Sequence, residues 1–230
     1  MKQFIYNNNN YNYIENLNDP SVYGCILEIV INNEYNLDKF INIENSHFID
    51  IGANCGIATI ILAKQNPKSK IYSFEPDLDV FNFLKTNIEI NSLYNVVLSN
   101  KAVCKSGVKE ITLFKCPYFS GGNTTCSTNN DIKKYYNKEI DSYIVQCISI
   151  DEIIEHNNID KIELLKIDCE GAEYEILYNS NYFKNNIVEN IVGEFHNLSY
   201  NTTVKDTSNA LINYCKKYVK NIINIKELTI

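Results

Sequence analysis

The chain contains no arginine. All 21 basic residues are lysine, against 28 acidic ones, which leaves a formal net charge of −7. Nucleic-acid interfaces rest on basic patches and bidentate arginine contacts, so this balance argues against DNA or RNA as a partner. Any phosphate recognition must use lysine, hydroxyls or backbone N–H groups. Tryptophan is absent too, and no run of 18 or more apolar residues occurs, so no transmembrane helix is expected. The N-terminus, Met1 to Tyr6 followed by four asparagines, lacks the apolar core of a signal peptide, and a cytoplasmic location is expected. The eight cysteines form no C-x-x-C pair and no zinc-ligand spacing. They read as scattered reduced thiols, with Cys55 and Cys169 flanking site motifs as candidates for oxidation. Roughly one residue in six is asparagine, which together with abundant Ile, Lys and Tyr reads as codon bias. In such a chain the sequons at Asn123, Asn197 and Asn201 read as chance matches.

A chain of 230 residues can bury one full core. Residues 1–45 read as a polar lead-in, extended or loosely packed at 1–20, with an apolar run over 22–31 that periodicity does not assign and a short helix over 37–43. Residues 46–230 read as one α/β domain. Its strands are predicted at 47–51, 70–74 and 95–98, with helices at 57–65 and 78–91 between them. That βαβαβ rhythm implies a parallel sheet with crossover helices. A β-hairpin insertion follows, with strands at 108–114 and 142–148 and a polar loop from 117 to 130, whose stretch from Ser120 to Thr125 would be either a lid or a solvated tip. Further strands are predicted at 164–167 and 187–195, one strand or a short hairpin at 222–230, and helices start at 150, 171 and 206. The fold class is α/β, with a mostly parallel central sheet and helices on both faces.

The most informative stretch is Asp50-Ile51-Gly52-Ala53-Asn54-Cys55-Gly56, a strand end, a tight turn and a helix start. Its N–H groups are expected to point outward toward a ligand. Asp50 would set a carboxylate beside the turn, which suits a cationic or hydrogen-bond-donating ligand better than a pyrophosphate. Glu75, in Phe74-Glu75-Pro76 at the end of the second strand, is placed to accept from both ribose hydroxyls. That logic serves both NAD and S-adenosylmethionine. Dinucleotide sites need G-x-G-x-x-G, and the turn here has no middle glycine, which favours S-adenosylmethionine. Asn100-Lys101-Ala102 follows the third strand, where adenine is expected.

The second strong motif is the run from Lys166 to Glu173, with Asp168 at a strand end beside that of Asp50. Lys166 shares a strand face with Asp168 and reads as a structural ion pair. Glu173 and Glu175 read as helix-start and surface charges. Glu194 and His196 close a later strand. His196 is the preferred general base near neutral pH, with Asp168 or Glu194 as alternative or orienting group. The same three residues could hold a hard divalent cation, but no spacing demands one, and no metal is assigned.

Taken in order, Asp50 to Gly56, Phe74-Glu75-Pro76, Asn100-Lys101-Ala102, the run LLKIDCEGAE from Leu164 and Glu194-Phe195-His196 resemble the FkbM-type S-adenosylmethionine-dependent methyltransferases. The resemblance covers roughly residues 46–200. It implies a class I, Rossmann-like methyltransferase fold with S-adenosylmethionine as methyl donor. It also implies O-methylation of a small molecule or sugar. It assigns Asp50, Gly52, Asn54 and Glu75 to cofactor binding and puts Asp168 near the transferred methyl. Ala53, Gly56, Pro76, Asn100, Ala102 and Asp168 belong to the same expected cofactor set. N-methylation of an amine and a non-catalytic nucleotide-binding module are the alternatives.

Overall fold

The computed structural model describes residues 1–126, 140–197 and 207–229. Strands β3 (His47–Ile51), β4 (Lys70–Phe74), β5 (Val96–Ser99), β9 (Ile162–Ile167), β10 (Val188–Asn197) and β11 (Asn221–Thr229) form one sheet in the order β11-β10-β9-β3-β4-β5. Every pairing in it is parallel. The chain runs outward from β3 to β5 on one side and from β9 to β11 on the other. The order therefore reverses between β3 and β9, and a crevice opens at the carboxyl ends of those two strands.

The two central strands are buried on both faces, as in a parallel sheet covered on both sides. Phe48 and Leu164 face one core cluster; Ile49, Ile51, Leu165 and Ile167 face the other. Helices α2 (Ile57–Gln65) and α3 (Leu78–Ile90) pack on the first face. Helices α4 (Ile150–Asn157), α5 (Glu173–Asn179) and α7 (Ser208–Cys215) pack on the second, with the short α6 (Asn181–Lys184) between α5 and β10. Local chemistry starts these helices where they start. The Asp77 side chain accepts from Asp79 N–H and Val80 N–H at the head of α3, and Ser149 and Glu152 form a reciprocal capping box on α4. The insertion is a separate small sheet in which β7 (Glu110–Phe114) pairs antiparallel with β8 (Ser142–Ser149), and β6 (Ala102–Cys104) joins β8 in parallel.

The lead-in differs from its expectation. Residues 2–13 are a packed hairpin of β1 (Lys2–Tyr6) and β2 (Asn9–Tyr13), and Tyr11 is fully buried, stacked on Phe4 at 5.0 Å. Its two-residue turn uses Asn7 and Asn8 in the left-handed conformation, which matches the twist of the paired strands. The reason for the docking lies in α2. Residues 57–63 are buried without exception, so this helix needs cover on its outer side, and the hairpin and residues 21–43 supply it. The unassigned apolar run is helix α1 (Ser21–Cys25) continued by a π-helical turn, Ile26–Ile31. The helix expected over 37–43 shrinks to a single 3-10 turn, Leu37–Lys39. The asparagine excess has structural use. Among the described residues, nine of the eleven non-glycine residues with positive φ are asparagine, the side chain that best tolerates that region after glycine.

Candidate active site

The turn after β3 is held by its own atoms. Gly52 N–H and Ala53 N–H both donate to the Phe74 carbonyl (3.1 and 3.0 Å), and Gly56 N–H donates to the Ala53 carbonyl (2.9 Å). Asn54 N–H donates to Glu75 Oε2 (2.9 Å) and Cys55 N–H to Asn54 Oδ1 (2.7 Å). The turn's N–H groups from Gly52 to Gly56, expected from the sequence to point outward, are thus consumed internally. Gly52 is obligatory for a different reason. Its φ is +74°, and a Cβ there would lie 1.8 Å from the Asp168 carbonyl oxygen, so the β3 turn touches the end of β9 directly.

Asp50 does not face the crevice. It is fully buried, 3.2 Å from Lys166 Nζ through Oδ1, and accepts from Thr59 Oγ1 through Oδ2 (2.6 Å). Strand register puts Asp50 opposite Lys166, so the pair is built into the sheet. Lys166 also donates to the Gly52 carbonyl (2.6 Å) and lies 3.9 Å from Asp168 Oδ2. Burial alone would lower the lysine's pKa; Asp50 and Asp168 outweigh it and raise the value above the ordinary one. Asp50 therefore secures the turn from behind. Gly56 likewise packs on Leu84 and Asn100 donates to the Glu75 and Pro76 carbonyls (2.9 Å each), and neither lines the crevice.

The crevice is a cavity of about 510 Å³, lined by Gly52, Ala53, Asn54, Glu75, Pro76 and Ala102 along one stretch. Glu75 is its key carboxylate on that side. Each Glu75 oxygen accepts one backbone N–H, from Asn54 and from Asp77 (2.9 Å each), which leaves one lone pair per oxygen. Burial pushes its pKa up to about 7, against the opposing pull of those two N–H groups.

The other end of the cavity is lined by Asp168, Glu170, Glu194 and His196. Three features there escaped the sequence. Tyr35, 133 positions away in the chain, donates its hydroxyl to Asp168 Oδ2 (2.8 Å). Lys226 lies 3.2 Å from Glu194 Oε1. Glu173, read as a helix-start or surface charge, does start α5 but is fully buried, accepts from Cys169 N–H (2.9 Å) and sits 3.1 Å from His196 Nδ1. The one available signal for Glu173 was its place at a helix start, where a carboxylate can accept free backbone N–H groups. Glu175 does match its expectation, pairing with Lys105 at the surface.

The imidazole is also corrected. Burial alone would push the His196 pKa down, but Glu173, then Glu170 and Asp168, more than offset that and lift it to about 10. His196 thus carries its proton at neutral pH and does not supply the base expected of it. Glu194 does sit in that range: burial and then Asp168 raise it to about 7, opposed by Lys226. Burial holds the Cys169 thiol well above its usual value, which removes the oxidation-prone character expected of it.

The loop from Ser120 to Thr125 lines the cavity. Asp19 accepts from Ser120 N–H, Ser21 Oγ accepts from Gly121 N–H (2.8 Å), and Thr124 Oγ1 donates to the Glu170 carbonyl (2.6 Å). Asn123 donates to Asp77 Oδ2 and accepts from Cys116 N–H (2.9 Å each), so that sequon's side chain is engaged inside the structure. The sequon at Asn201 and residues 127–130 of the predicted loop lie outside the described residues.

Residues 50–218 match the model of the methyltransferase FkbM domain. The chain belongs to the FkbM methyltransferase family. S-adenosylmethionine is its cofactor, and the sheet with its crevice is the class I methyltransferase arrangement. Among its relatives, "Methyltransferase 1" of Beauveria bassiana is 25% identical over 79% of this chain and 80% of its own length. "Methyltransferase sdnD" of Sordaria araneosa is 23% identical over 65% of this chain and 66% of its own. The "hexuronic acid methyltransferase AglP" of Haloferax volcanii is 27% identical over 56% of this chain and 47% of its own. Among solved structures, M. jannaschii TYW2 in complex with AdoMet is similar at 22% identity over 42% of this chain and 41% of that one, with a TM-score of 0.29. No helix among the described residues is long and apolar enough to cross a membrane.

The residues present fit the cofactor. A buried carboxylate with two free lone pairs suits two ribose hydroxyls, and the turn's lack of free N–H groups suits a ligand without a diphosphate. A cavity of about 510 Å³ is ordinary for a small-molecule site.

Proposed function

We propose that this FkbM-family protein moves the methyl group of S-adenosylmethionine to a hydroxyl of a small molecule or carbohydrate. The observation that carries the reading is the far wall of the cavity, where Asp168, Glu194 and His196 come from the ends of two adjacent strands. Gly52, Ala53, Asn54, Glu75, Pro76 and Ala102 would hold the cofactor. The cofactor supplies an activated methyl group, whose carbon–sulfur bond breaks with its electron pair staying on sulfur. The chain's own work is alignment and proton removal. Glu194, raised to about 7, takes the proton of the acceptor hydroxyl as its oxygen attacks. Protonated His196 keeps the neighbouring carboxylates from repelling one another, and Tyr35 holds Asp168 in place. The acceptor half is walled by α1, the π-helical turn and the loop from Ser120 to Thr125, so residues 1–45 and 115–141 set acceptor choice. The uronic-acid enzyme among the relatives supports a carbohydrate acceptor.

The test is a panel of sugars, uronic acids and hydroxylated small molecules with methyl-deuterated S-adenosylmethionine, read by mass spectrometry. Label in a methyl ether supports the reading; label confined to methylamines sinks it. In the same assay Asp168→Asn is expected to lower kcat about 100-fold. Its side chain is 24% exposed, so the melting temperature should hardly move. Full activity in that variant would remove Asp168 from the acceptor site.

A further inference from the structure

We propose that Asp168, Glu194 and His196 form a binding site for a hard divalent cation that grips the acceptor oxygen, an inference that rests on the methyl-transfer reading above. One donor atom from each of the three lies within 4.8 Å of the others. The decisive atom is His196 Nε2. The side chain is 2% exposed and lines the cavity, yet Nε2 has no hydrogen-bond partner among the described residues. Its neighbours are Glu170 Oε1 at 3.6 Å and Glu194 Oε2 at 3.9 Å, both too far to bond it. A buried, unpaired ring nitrogen is costly unless a ligand completes it.

The opposite side of the ring shows how it is set for a metal. Nδ1 faces Glu173 Oε1 at 3.1 Å, and that carboxylate is itself anchored by Cys169 N–H. Nδ1 keeps its proton for Glu173, and a cation at Nε2 takes the place of the proton that the ring otherwise carries there, so binding releases one proton. A carboxylate behind the imidazole is the usual outer support of a metal-bound histidine. Asp168 has its own support in the Tyr35 hydroxyl. All three ligands sit at the ends of β9 and β10, which are paired strands, so the site is built on rigid elements.

A nearby acidic group gives the contrast. Glu28, Glu34 and Glu194 also cluster, but Lys226 lies 3.4, 3.1 and 3.2 Å from them and already supplies the positive charge. In the Asp168 cluster Lys226 reaches Glu194 through Oε1, while Oε2 is the oxygen turned toward His196; Lys166 approaches Asp168 only to 3.9 Å and is committed to Asp50. Two carboxylate oxygens and one imidazole favour Mg²⁺ or Mn²⁺ over a thiophilic metal. Three protein ligands leave positions for two acceptor oxygens, which selects a vicinal diol or a hydroxy acid. The ion would ease loss of the hydroxyl proton.

The test is a Mn²⁺ titration of the full chain, followed by loss of the free-Mn²⁺ electron paramagnetic resonance signal. One Mn²⁺ per chain is expected, displaced by excess Mg²⁺. Glu194→Gln and His196→Asn should each weaken it at least about tenfold. S-adenosylhomocysteine titrated into the same two variants should bind within about threefold of the parent chain, which shows that the cofactor half is intact. If one variant fails to fold, the other carries the expectation. Absence of stoichiometric Mn²⁺ binding, or binding that survives both substitutions, overturns the metal site. Because Mn²⁺ binding is read without turnover, that result leaves the methyl-transfer reading standing; loss of that reading shows instead in the mass-spectrometric assay.

Discussion

Glu75→Ala is expected to weaken S-adenosylhomocysteine binding at least about 100-fold, measured by titration calorimetry. The carboxylate keeps one lone pair on each oxygen, which would serve two ribose hydroxyls, and hydrogen bonds to a charged acceptor are worth about 1.5–3 kcal/mol each. Losing both covers that range and more. The same residue gives a pH signature. Its apo pKa of about 7 means that the accepting, ionised form dominates above that value. Lowering the pH protonates Glu75 and fills a lone pair that the ribose needs. Binding must then expel the proton, so affinity should fall about tenfold per pH unit below ~7. Glu75→Gln, which has no proton to release, should flatten the profile. A wild-type affinity constant from pH 5 to 8 would remove Glu75 from the ribose site.

Lys166→Met is expected to destabilise the fold by about 3–5 kcal/mol, because it leaves the Asp50 carboxylate buried without its cation. At this chain length that corresponds to a fall in Tm of roughly 6–20 °C. The Gly52 carbonyl also loses its 2.6 Å donor, so the cofactor turn should loosen. The double variant Lys166→Met with Asp50→Asn removes the stranded charge and should recover much of the loss. A single variant that melts within about 2 °C of the parent would show that the pair is not what secures the turn.

The sheet was largely legible because period-two and continuous apolar runs survive in single elements. Strands β3 and β4 and helix α2 appear with the bounds that their patterns predict, and the adjacency of the Asp50 and Asp168 strand ends follows from the parallel order. The lead-in was not legible, because its polar asparagines and tyrosines conceal a hairpin whose apolar side is needed only once α2 is in place. At the site, position along a motif located Glu75 and Asp168 but not burial. Asp50 and Glu173 look alike in sequence as charges near a turn; the structure turns the first inward onto Lys166 and sets the second behind His196. The reversal of His196 from base to bound cation follows from that hidden carboxylate. Tyr35 and Lys226 reach the site from distant segments, and no local pattern announces them.

A crystal structure of the full chain with S-adenosylhomocysteine tests the central claim most directly. The expected result is ligand in the crevice at the ends of β3, β4 and β9, with both ribose hydroxyls on Glu75, adenine beside Ala102 and the sulfur turned toward the wall of Asp168, Glu194 and His196. A ligand seated elsewhere, or one whose ribose makes no contact with Glu75, would contradict it.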